Sequence, residues 1–137
     1  MRGLVPLFIF LGGCAVTGGN DVDRAAKDGS AFLRAAFVEH RYDDAAKQTT
    51  LDEGKLRAIV DGVEREMGSV KIAQAMSTAP GIEHDAVYVY YRVQAERASG
   101  NVGLLVKGDA KRGYRVDQLH VDAKAAPERW PGRPFVM

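Results

Sequence analysis

The sequence contains few of the residues on which several protein classes depend. Its 137 residues include one cysteine and three histidines, so it cannot form an internal disulfide or a cysteine-rich zinc module. The 19 basic and 18 acidic side chains almost cancel, which leaves no broad basic surface for nucleic acid. The apolar share of 46% is nevertheless too high for a disordered chain. The length fits one domain.

Long hydrophobic runs are also missing, and the longest apolar stretch lies at the N-terminus. Leu4 to Leu11 follows the positive charge of Arg2. A helix of that length reaches about 12 Å, far less than the ~30 Å hydrocarbon core of a bilayer. We therefore expect a signal peptide rather than a resident transmembrane helix.

The end of this stretch, Leu11-Gly12-Gly13-Cys14, has an aliphatic residue, two small residues and then the cysteine. It resembles the lipobox of bacterial lipoproteins. The resemblance implies cleavage between Gly13 and Cys14, lipid on the Cys14 thiol, and acylation, typically with palmitate, of its new amine. A thiol is the best nucleophile for taking a lipid, and several acyl chains anchor firmly. A secretory signal with an incidental cysteine is the alternative.

The residues after the cysteine bear on sorting. Gram-negative lipoproteins with Asp at this position typically stay in the inner membrane, whereas Ala15 and Val16 follow here. The resemblance thus favours the inner leaflet of the outer membrane, facing the periplasm. The expected organisation is a signal peptide at 1–13, a flexible tether at 14–20, a folded domain at 21–122, and an irregular proline-rich tail at 123–137.

Helical spacing dominates the first half of the domain. Apolar residues recur every three or four positions between Val22 and Phe37, after Asn20 or Asp21 as a cap. A short helix is expected from Tyr42 to Lys47. A longer one should run from Asp52 to Met67 before Gly68, with Thr50 and Glu53 at capping-box spacing.

Alternating patterns dominate the second half. Ser69 to Ala79 alternates, with Val70, Ile72, Gln74 and Met76 expected on one face, and Ala86 to Ala98 alternates most clearly. Ser99 to Asn101 predicts a hairpin turn. Two further strands should follow, the last from Tyr114 to Val121 with a bulge near Asp117 that restores a single inward face. The predicted fold is α+β, with N-terminal helices packed on a curved four-stranded antiparallel sheet.

Three features carry a family resemblance. They are the Tyr-Asp-Asp-Ala-Ala segment at 42–46, the glycine ending the long helix before an extended Val-Tyr-Val-Tyr-Tyr-Arg-Val strand, and the Gly-Tyr-Arg-Val ending at 113–116. The pattern resembles the cystatin-like, nuclear-transport-factor-two-like cone fold, as found in small bacterial secreted or lipoprotein domains. This superfold hosts both enzymes and binding modules, so it does not choose a function.

Catalytic signals are weak. Enzymes of this superfamily place an Asp with His or Tyr inside the cone, which makes Asp44, Tyr91 and His120 the candidates here. Asp44 lies at a helix start, where a carboxylate caps the helix and complements its dipole. His120 alternates with the apolar Leu119 and Val121 along the strand, so its side chain is expected to face the surface. No residue maps onto a family catalytic motif. The three histidines have no ligand spacing, so neither a metal nor a cofactor is expected.

Two features suggest a binding surface. Tyr88 and Tyr90 alternate on the strand face opposite the valines, with Arg92 beyond them, and tyrosine and arginine are favoured at interfaces. In the tail, Trp130 and Phe135 lie among prolines and could cover a sheet edge or dock into a partner. Each feature has a structural alternative, namely β-propensity for the tyrosines and self-packing for the tail.

The resulting functional hypothesis is a lipid-anchored envelope module that binds a protein or small ligand, in the manner of an inhibitor, immunity protein or assembly factor. It contacts the membrane through the lipid on Cys14, and a homodimer through the tyrosine face is compatible with it. The alternative is a small cone-fold enzyme or ligand-carrying pocket that uses a helix-start aspartate and a buried tyrosine. The sequence alone does not identify the partner.

Overall fold

The computed structural model describes residues 21–122 and 129–135. Cys14, Gly13 and the predicted tether lie outside these ranges. The helices and strands follow one another as expected for an α+β chain, with all helices first. In chain order they are α1 (Val22–Leu33), a π-helical segment (Arg34–Val38), α2 (Tyr42–Ala46), α3 (Glu53–Met67), β1 (Val70–Pro80), β2 (Ala86–Ala95), β3 (Ser99–Asp109), β4 (Gly113–Asp122) and β5 (Arg133–Pro134).

The first helix begins where its cap was predicted. The Asp21 carboxylate accepts a hydrogen bond from the Arg24 backbone amide at 3.1 Å, satisfying one of the free N–H groups of the first turn. The helix ends in the π-helical segment, whose wider turn directs three consecutive residues, Ala35 to Phe37, into the core. His40 follows in the left-handed region at φ 55°, which ends the helical run.

Helix α3 matches its predicted range, but its cap is different. Asp52, not Thr50, is the N-cap, and its carboxylate accepts from the Lys55 amide at 2.8 Å. Thr50 is instead held at the sheet, where its amide donates to the Val116 carbonyl at 3.0 Å. Gly68 ends the helix at φ 85°, as expected for a glycine C-cap.

The strands form one open antiparallel sheet in the order β4-β3-β2-β1-β5. The prediction of four strands was therefore wrong by one. Arg133 and Pro134 of the tail pair with Thr78 and Ser77 of β1, and so part of the expected irregular tail adds a short edge strand. The β2–β3 turn also lies earlier than predicted, because Ser99 already pairs with Gln94.

The prediction for the faces of β1 was also wrong. Two register shifts interrupt its pairing with β2, one between Val70 and Ile72 and one between Ala75 and Ser77. Each shift moves the following residues to the opposite face. Val70 is buried whereas Ile72 is 57% exposed, so the two residues do not share the predicted inward face. In β4, by contrast, the predicted bulge at Asp117 is confirmed, since Leu105 pairs with Gln118 and Val106 with Val116.

The core lies between α1 and one face of the sheet. Helix α1 contacts all four long strands, and the inward residues of β2 are Val87, Val89, Tyr91 and Val93, as predicted. Phe32 and Phe37 are 0% and 1% exposed and fill the space between the helices and the strands. Burying such side chains stabilises a fold by about 1.5–3 kcal/mol each. The opposite face of the sheet is the one that positions the candidate site.

Candidate functional site

The solvent-facing side of the sheet is defined by the strand register. Tyr88, Tyr90 and Arg92 lie on this side of β2, opposite the buried valines and Tyr91. Directly opposite residues in an antiparallel pair share a face. Residues of all four long strands therefore contribute to the same surface, which we call the tyrosine face. Around Tyr88 and Tyr90 it includes Ala79 and Ser77 of β1, Leu105 and Gly103 of β3, and Gln118 and His120 of β4.

The two tyrosines form a stacked pair. Their ring centroids are 6.3 Å apart and their planes differ by 14°, which is a stacked arrangement. Gly103 lies beside Tyr90, and a Cβ there would be 3.6 Å from the ring carbons, in ordinary contact. Partial burial raises the pKa of the Tyr90 hydroxyl, and Tyr88 raises it further. Both side chains are half-buried, so each presents ring surface and a hydroxyl to solvent.

A shallow depression borders the pair at the β1–β2 turn. Its volume is about 230 Å³. Ile82 on its rim is 99% exposed and adds a large apolar side chain to this surface. Tyr88 and the buried Leu105 extend the apolar surface from this rim into the sheet. The lining residues are Ile82, Glu83, Ala86, Tyr88, Leu105, Lys107, Asp117 and Gln118.

Charged groups lie at the polar side of this depression. The Lys107 ammonium is 2.6 Å from Glu83 and 3.7 Å from Asp117. The hydrogen bond from Lys107 lowers the pKa of the Glu83 carboxyl, and the same bond raises the pKa of Lys107. The ion pair joins the β1–β2 turn to β3, and so it holds the segment that carries Ile82.

The candidate catalytic residues are not brought together. The Tyr91 hydroxyl donates to the Ala26 carbonyl at 2.8 Å inside the core, where burial raises the pKa of the phenol. Asp44 forms ion pairs with Arg41 at 3.2 Å and Lys47 at 3.9 Å on the helical side. His120 is exposed on β4, on the tyrosine face. Each residue thus has its own surroundings, and the three do not form an acid–base site.

The tail residues Trp130 and Phe135 lie at the opposite edge of the sheet from β4. Phe135 packs partly against the core, and its amide donates to the Met76 carbonyl at 2.9 Å. Ser77 is buried, and its hydroxyl donates to the Pro131 carbonyl. Trp130 is half-buried. These contacts agree with self-packing of the described part of the tail.

Sequence reasoning missed a second polar cluster, where α2 meets α3. The Arg57 guanidinium lies 4.4 Å from the ring centroid of Tyr42, and His40 contacts Glu64 at 2.5 Å. Burial raises the pKa of Tyr42, with further contributions from Glu64 and Asp61. The cluster fastens the end of the π-helical segment to α3, which is a structural role.

Sequence reasoning also missed Ile82 and Leu105 as parts of the tyrosine face. The available signal was an apolar residue inside a Pro-Gly turn, Pro80-Gly81-Ile82, where polar residues are usual.

The described part of the chain also bears on membrane and metal binding. In residues 21–122 and 129–135, no helix is both long and apolar enough to span a bilayer. Within those same ranges, His, Cys, Asp and Glu side chains do not gather in groups of three that could hold a metal ion.

No protein-family model matches the chain, and no curated protein or solved structure matches it. Function is therefore inferred from the sequence motifs and from the surfaces described above.

Proposed function

We propose that this chain is a lipid-anchored module of the bacterial cell envelope whose folded head binds a protein partner through the tyrosine face. The anchor is the lipid on Cys14, in the inner leaflet of the outer membrane, and residues 15–20 form the tether to the head. An inhibitor, immunity-type or assembly role fits such a module. The proposal extends the lipobox resemblance with a surface suited to recognition.

The observation that carries this proposal is the composition of the tyrosine face. A stacked tyrosine pair and an arginine lie on a side of the sheet that no helix packs against among the described residues, and the exposed Ile82 lies beside Tyr88. Aromatic residues and arginine dominate the energetic centres of protein interfaces. Tyrosine side chains also lose little conformational entropy on binding, because each has only two rotatable torsions.

The cone resemblance belongs to this proposal as well. A long helix packed across an antiparallel sheet, with the glycine end of α3 leading into β1, is consistent with a cystatin-like relationship. In a cone fold of that kind, the inner face of the sheet lines the interior. Here Phe32, Phe37 and Tyr91 occupy it, which favours recognition at the outer face over a pocket inside.

The enzyme alternative has less support. It requires a carboxylate beside a buried phenol, whereas Asp44 is paired with surface cations and the Tyr91 hydroxyl is bonded to the Ala26 carbonyl. A general acid or base must reach its substrate proton within hydrogen-bond distance. Binding through the tyrosine face needs no such rearrangement.

Partner capture from membranes tests the proposal. The intact chain is extracted in mild detergent, and proteins retained by it are compared with those retained by Tyr88→Ala, Tyr90→Ala and the control Lys55→Ala. Lys55 is an exposed residue of α3, outside the tyrosine face. We expect a reproducible partner whose recovery falls at least tenfold with either tyrosine variant, about 1.4 kcal/mol or more, and is unchanged by the control.

Two outcomes would overturn the proposal, provided that each variant unfolds thermally like the parent. One is that no reproducible partner is retained across growth conditions. The other is that recovery is the same for all four proteins. Self-association of the chain through this face would be detected as concentration-dependent sedimentation sensitive to Tyr90→Ala, and would replace the envelope partner by a homodimer.

A further inference from the structure

The depression beside Tyr88 has the size of a single side chain. Its volume of about 230 Å³ lies below the roughly 300–1,000 Å³ of pockets that hold small molecules. Its lining is of two kinds, since Tyr88 and the buried Leu105 are apolar, whereas Glu83 and Asp117 carry carboxylates. A side chain that matches both parts of this lining has an apolar stem and a polar head.

The Lys107 ammonium binds one of these carboxylates more closely than the other. It is 2.6 Å from Glu83, within hydrogen-bond distance, and 3.7 Å from Asp117, beyond that distance. The Asp117 side chain is 31% exposed. Because an ionised carboxylate accepts several hydrogen bonds, Asp117 can accept from a group that enters the depression.

A third carboxylate lies near the same ammonium. The hydrogen bond to Glu83 raises the pKa of Lys107. The charges of Asp117 and Asp85 raise it further, so both aspartates act on this ammonium. The turn also carries His84, whose charge acts on Glu83 when the imidazole is protonated.

One more cation lies on the β4 side. Arg115 is directly opposite Lys107 in the strand register, and its guanidinium donates to the Thr49 carbonyl at 3.0 Å. Apart from the histidine of the turn, three carboxylates therefore face two cations around the depression. A group with one positive charge would balance this excess.

The Tyr88 ring adds a preference for the shape of that group. Tyr90 stacks on Tyr88 further along β2, with 6.3 Å between the ring centroids. Ala86, which precedes Tyr88 on the same side of the strand, lines the depression with it. The depression therefore meets the side of the Tyr88 ring that is turned away from Tyr90. A planar guanidinium stacks on an aromatic ring and pairs with a carboxylate in its own plane, which an ammonium does not do.

We infer that the depression is the anchoring subsite of the tyrosine face and takes an arginine side chain of the partner protein. The guanidinium lies over the Tyr88 ring and donates to the Asp117 carboxylate, while the aliphatic stem packs against Ile82 and Leu105. This inference rests on the proposed function, because it names the group by which a partner engages the tyrosine face.

An arginine side chain without a partner protein tests this subsite. The probe is Nα-acetyl-arginine N-methylamide, titrated into the full chain in detergent with isotope-labelled isoleucine methyl groups. Ile82 is on the rim of the depression, whereas Ile59 packs against the core and Ile72 lies on β1 beside α1. We expect a saturable shift of the Ile82 methyl signal with a Kd below about 10 mM, while the signals of Ile59 and Ile72 do not move.

Two matched probes separate charge from shape. The citrulline derivative keeps the stem and a planar head but has no charge, and it should bind at least fivefold more weakly. The leucine derivative offers apolar contact alone and should bind at least tenfold more weakly. Equal or tighter binding of either probe would overturn the inference, because an arginine would then not be the preferred occupant.

Two variants locate the contacts. Asp117→Asn removes the accepting charge and Tyr88→Leu removes the ring, and each should weaken binding of the arginine derivative at least threefold. Asp43→Asn removes an exposed carboxylate from α2 and should change this binding less than twofold. Unchanged methyl signals of Ile59 and Ile72 in each variant show that it is folded.

The inference is also overturned if the arginine derivative leaves the Ile82 signal in place, or if Asp117→Asn affects binding no more than Asp43→Asn. These results are distinguishable from those of partner capture. A failed titration with a captured partner removes the subsite and leaves the tyrosine face. A saturable titration without any captured partner removes the proposed function and leaves a depression that binds arginine.

Discussion

At the scale of single residues, Gly29 and Tyr91 depend on each other. The Tyr91 hydroxyl reaches across the core to the Ala26 carbonyl, and α1 can approach the sheet closely enough only because Gly29 has no Cβ. A Cβ at that position would be 2.2 Å from the Tyr91 oxygen and 3.1 Å from Leu104. A glycine inside a helix normally lowers stability, so its presence here reflects packing.

Gly29→Ala should therefore destabilise the protein, although the same change in an exposed helix stabilises by roughly 1 kcal/mol. We expect a loss of about 2 kcal/mol from the forced displacement of Tyr91. Tyr91→Phe alone should lose about 1 kcal/mol with its hydrogen bond. The double variant should lose less than the sum, because removal of the hydroxyl opens the space. Chemical denaturation of the four proteins measures this coupling, and strict additivity would show that the contact is not the cause.

At the scale of elements, an ion pair and a backbone hydrogen bond from Gly108 to Asp85 join the turn that carries Ile82 to β3. The turn links β1 to β2, and Lys107 on β3 reaches back to Glu83 within it. The pKa of Glu83 is lowered by this contact. A carboxyl whose folded pKa is lowered contributes stability above its unfolded pKa, and that contribution is lost as pH falls through the folded value.

Lys107→Met should accordingly raise the pKa of the Glu83 carboxyl toward that of an isolated glutamate. It should also make the backbone amides of the β1–β2 turn, residues 81–85, exchange faster at neutral pH. In the parent protein the ion pair between Lys107 and Glu83 holds this turn at that pH. NMR titration of the glutamate side chains measures the first effect, with Lys111→Met as an exposed control on the β3–β4 turn. An unchanged Glu83 titration would show that the pair does not form in solution.

The tail is a second case at this scale, because a two-residue strand, one aromatic ring and two hydrogen bonds hold its described part to the sheet. Phe135 packs against the core, while Arg133 is exposed and pairs with Thr78 through its backbone. Phe135→Ala should lower the free energy of unfolding by about 1–2 kcal/mol, and Arg133→Ala should change it by less than about 0.5 kcal/mol. Equal thermal midpoints for both variants and the parent would mean that the tail does not pack on the domain.

The helices and long strands could be predicted from the sequence because their causes are local. Alternating valines define β2, and Asp21 and Gly68 mark helix ends that the structure reproduces. The features that the sequence did not predict have non-local causes. The exposure of Ile72 depends on register shifts against β2, and β5 contains a proline and only two residues. The tyrosine face depends on the register of four strands, which no local pattern encodes.

At the scale of the whole molecule, a predicted membrane anchor and a proposed recognition surface belong to one chain. The anchor is predicted from Leu11-Gly12-Gly13-Cys14, and the proposed surface is the tyrosine face of a single sheet. A tether between them would let the head face the periplasm while its concentration at the membrane stays high.

Cys14→Ser should release this head or block its processing. The thiol is the lipid acceptor in the resemblance, and serine cannot replace it in that reaction. Fractionation should move the variant from the membrane to the soluble fraction, or leave a precursor larger than the mature chain. Unchanged membrane retention together with an unchanged mature mass would contradict the lipoprotein assignment.

The central claim is that partners meet the tyrosine face, and site-specific photocrosslinking in living cells tests it most directly. A photoreactive phenylalanine derivative at Tyr90 preserves an aromatic ring at the centre of the face, and the same group at the exposed Lys55 of α3 is the control. The account predicts a discrete crosslinked protein from Tyr90 and none from Lys55. Crosslinks to the same protein from Lys55 alone, or equally from both positions, would contradict it.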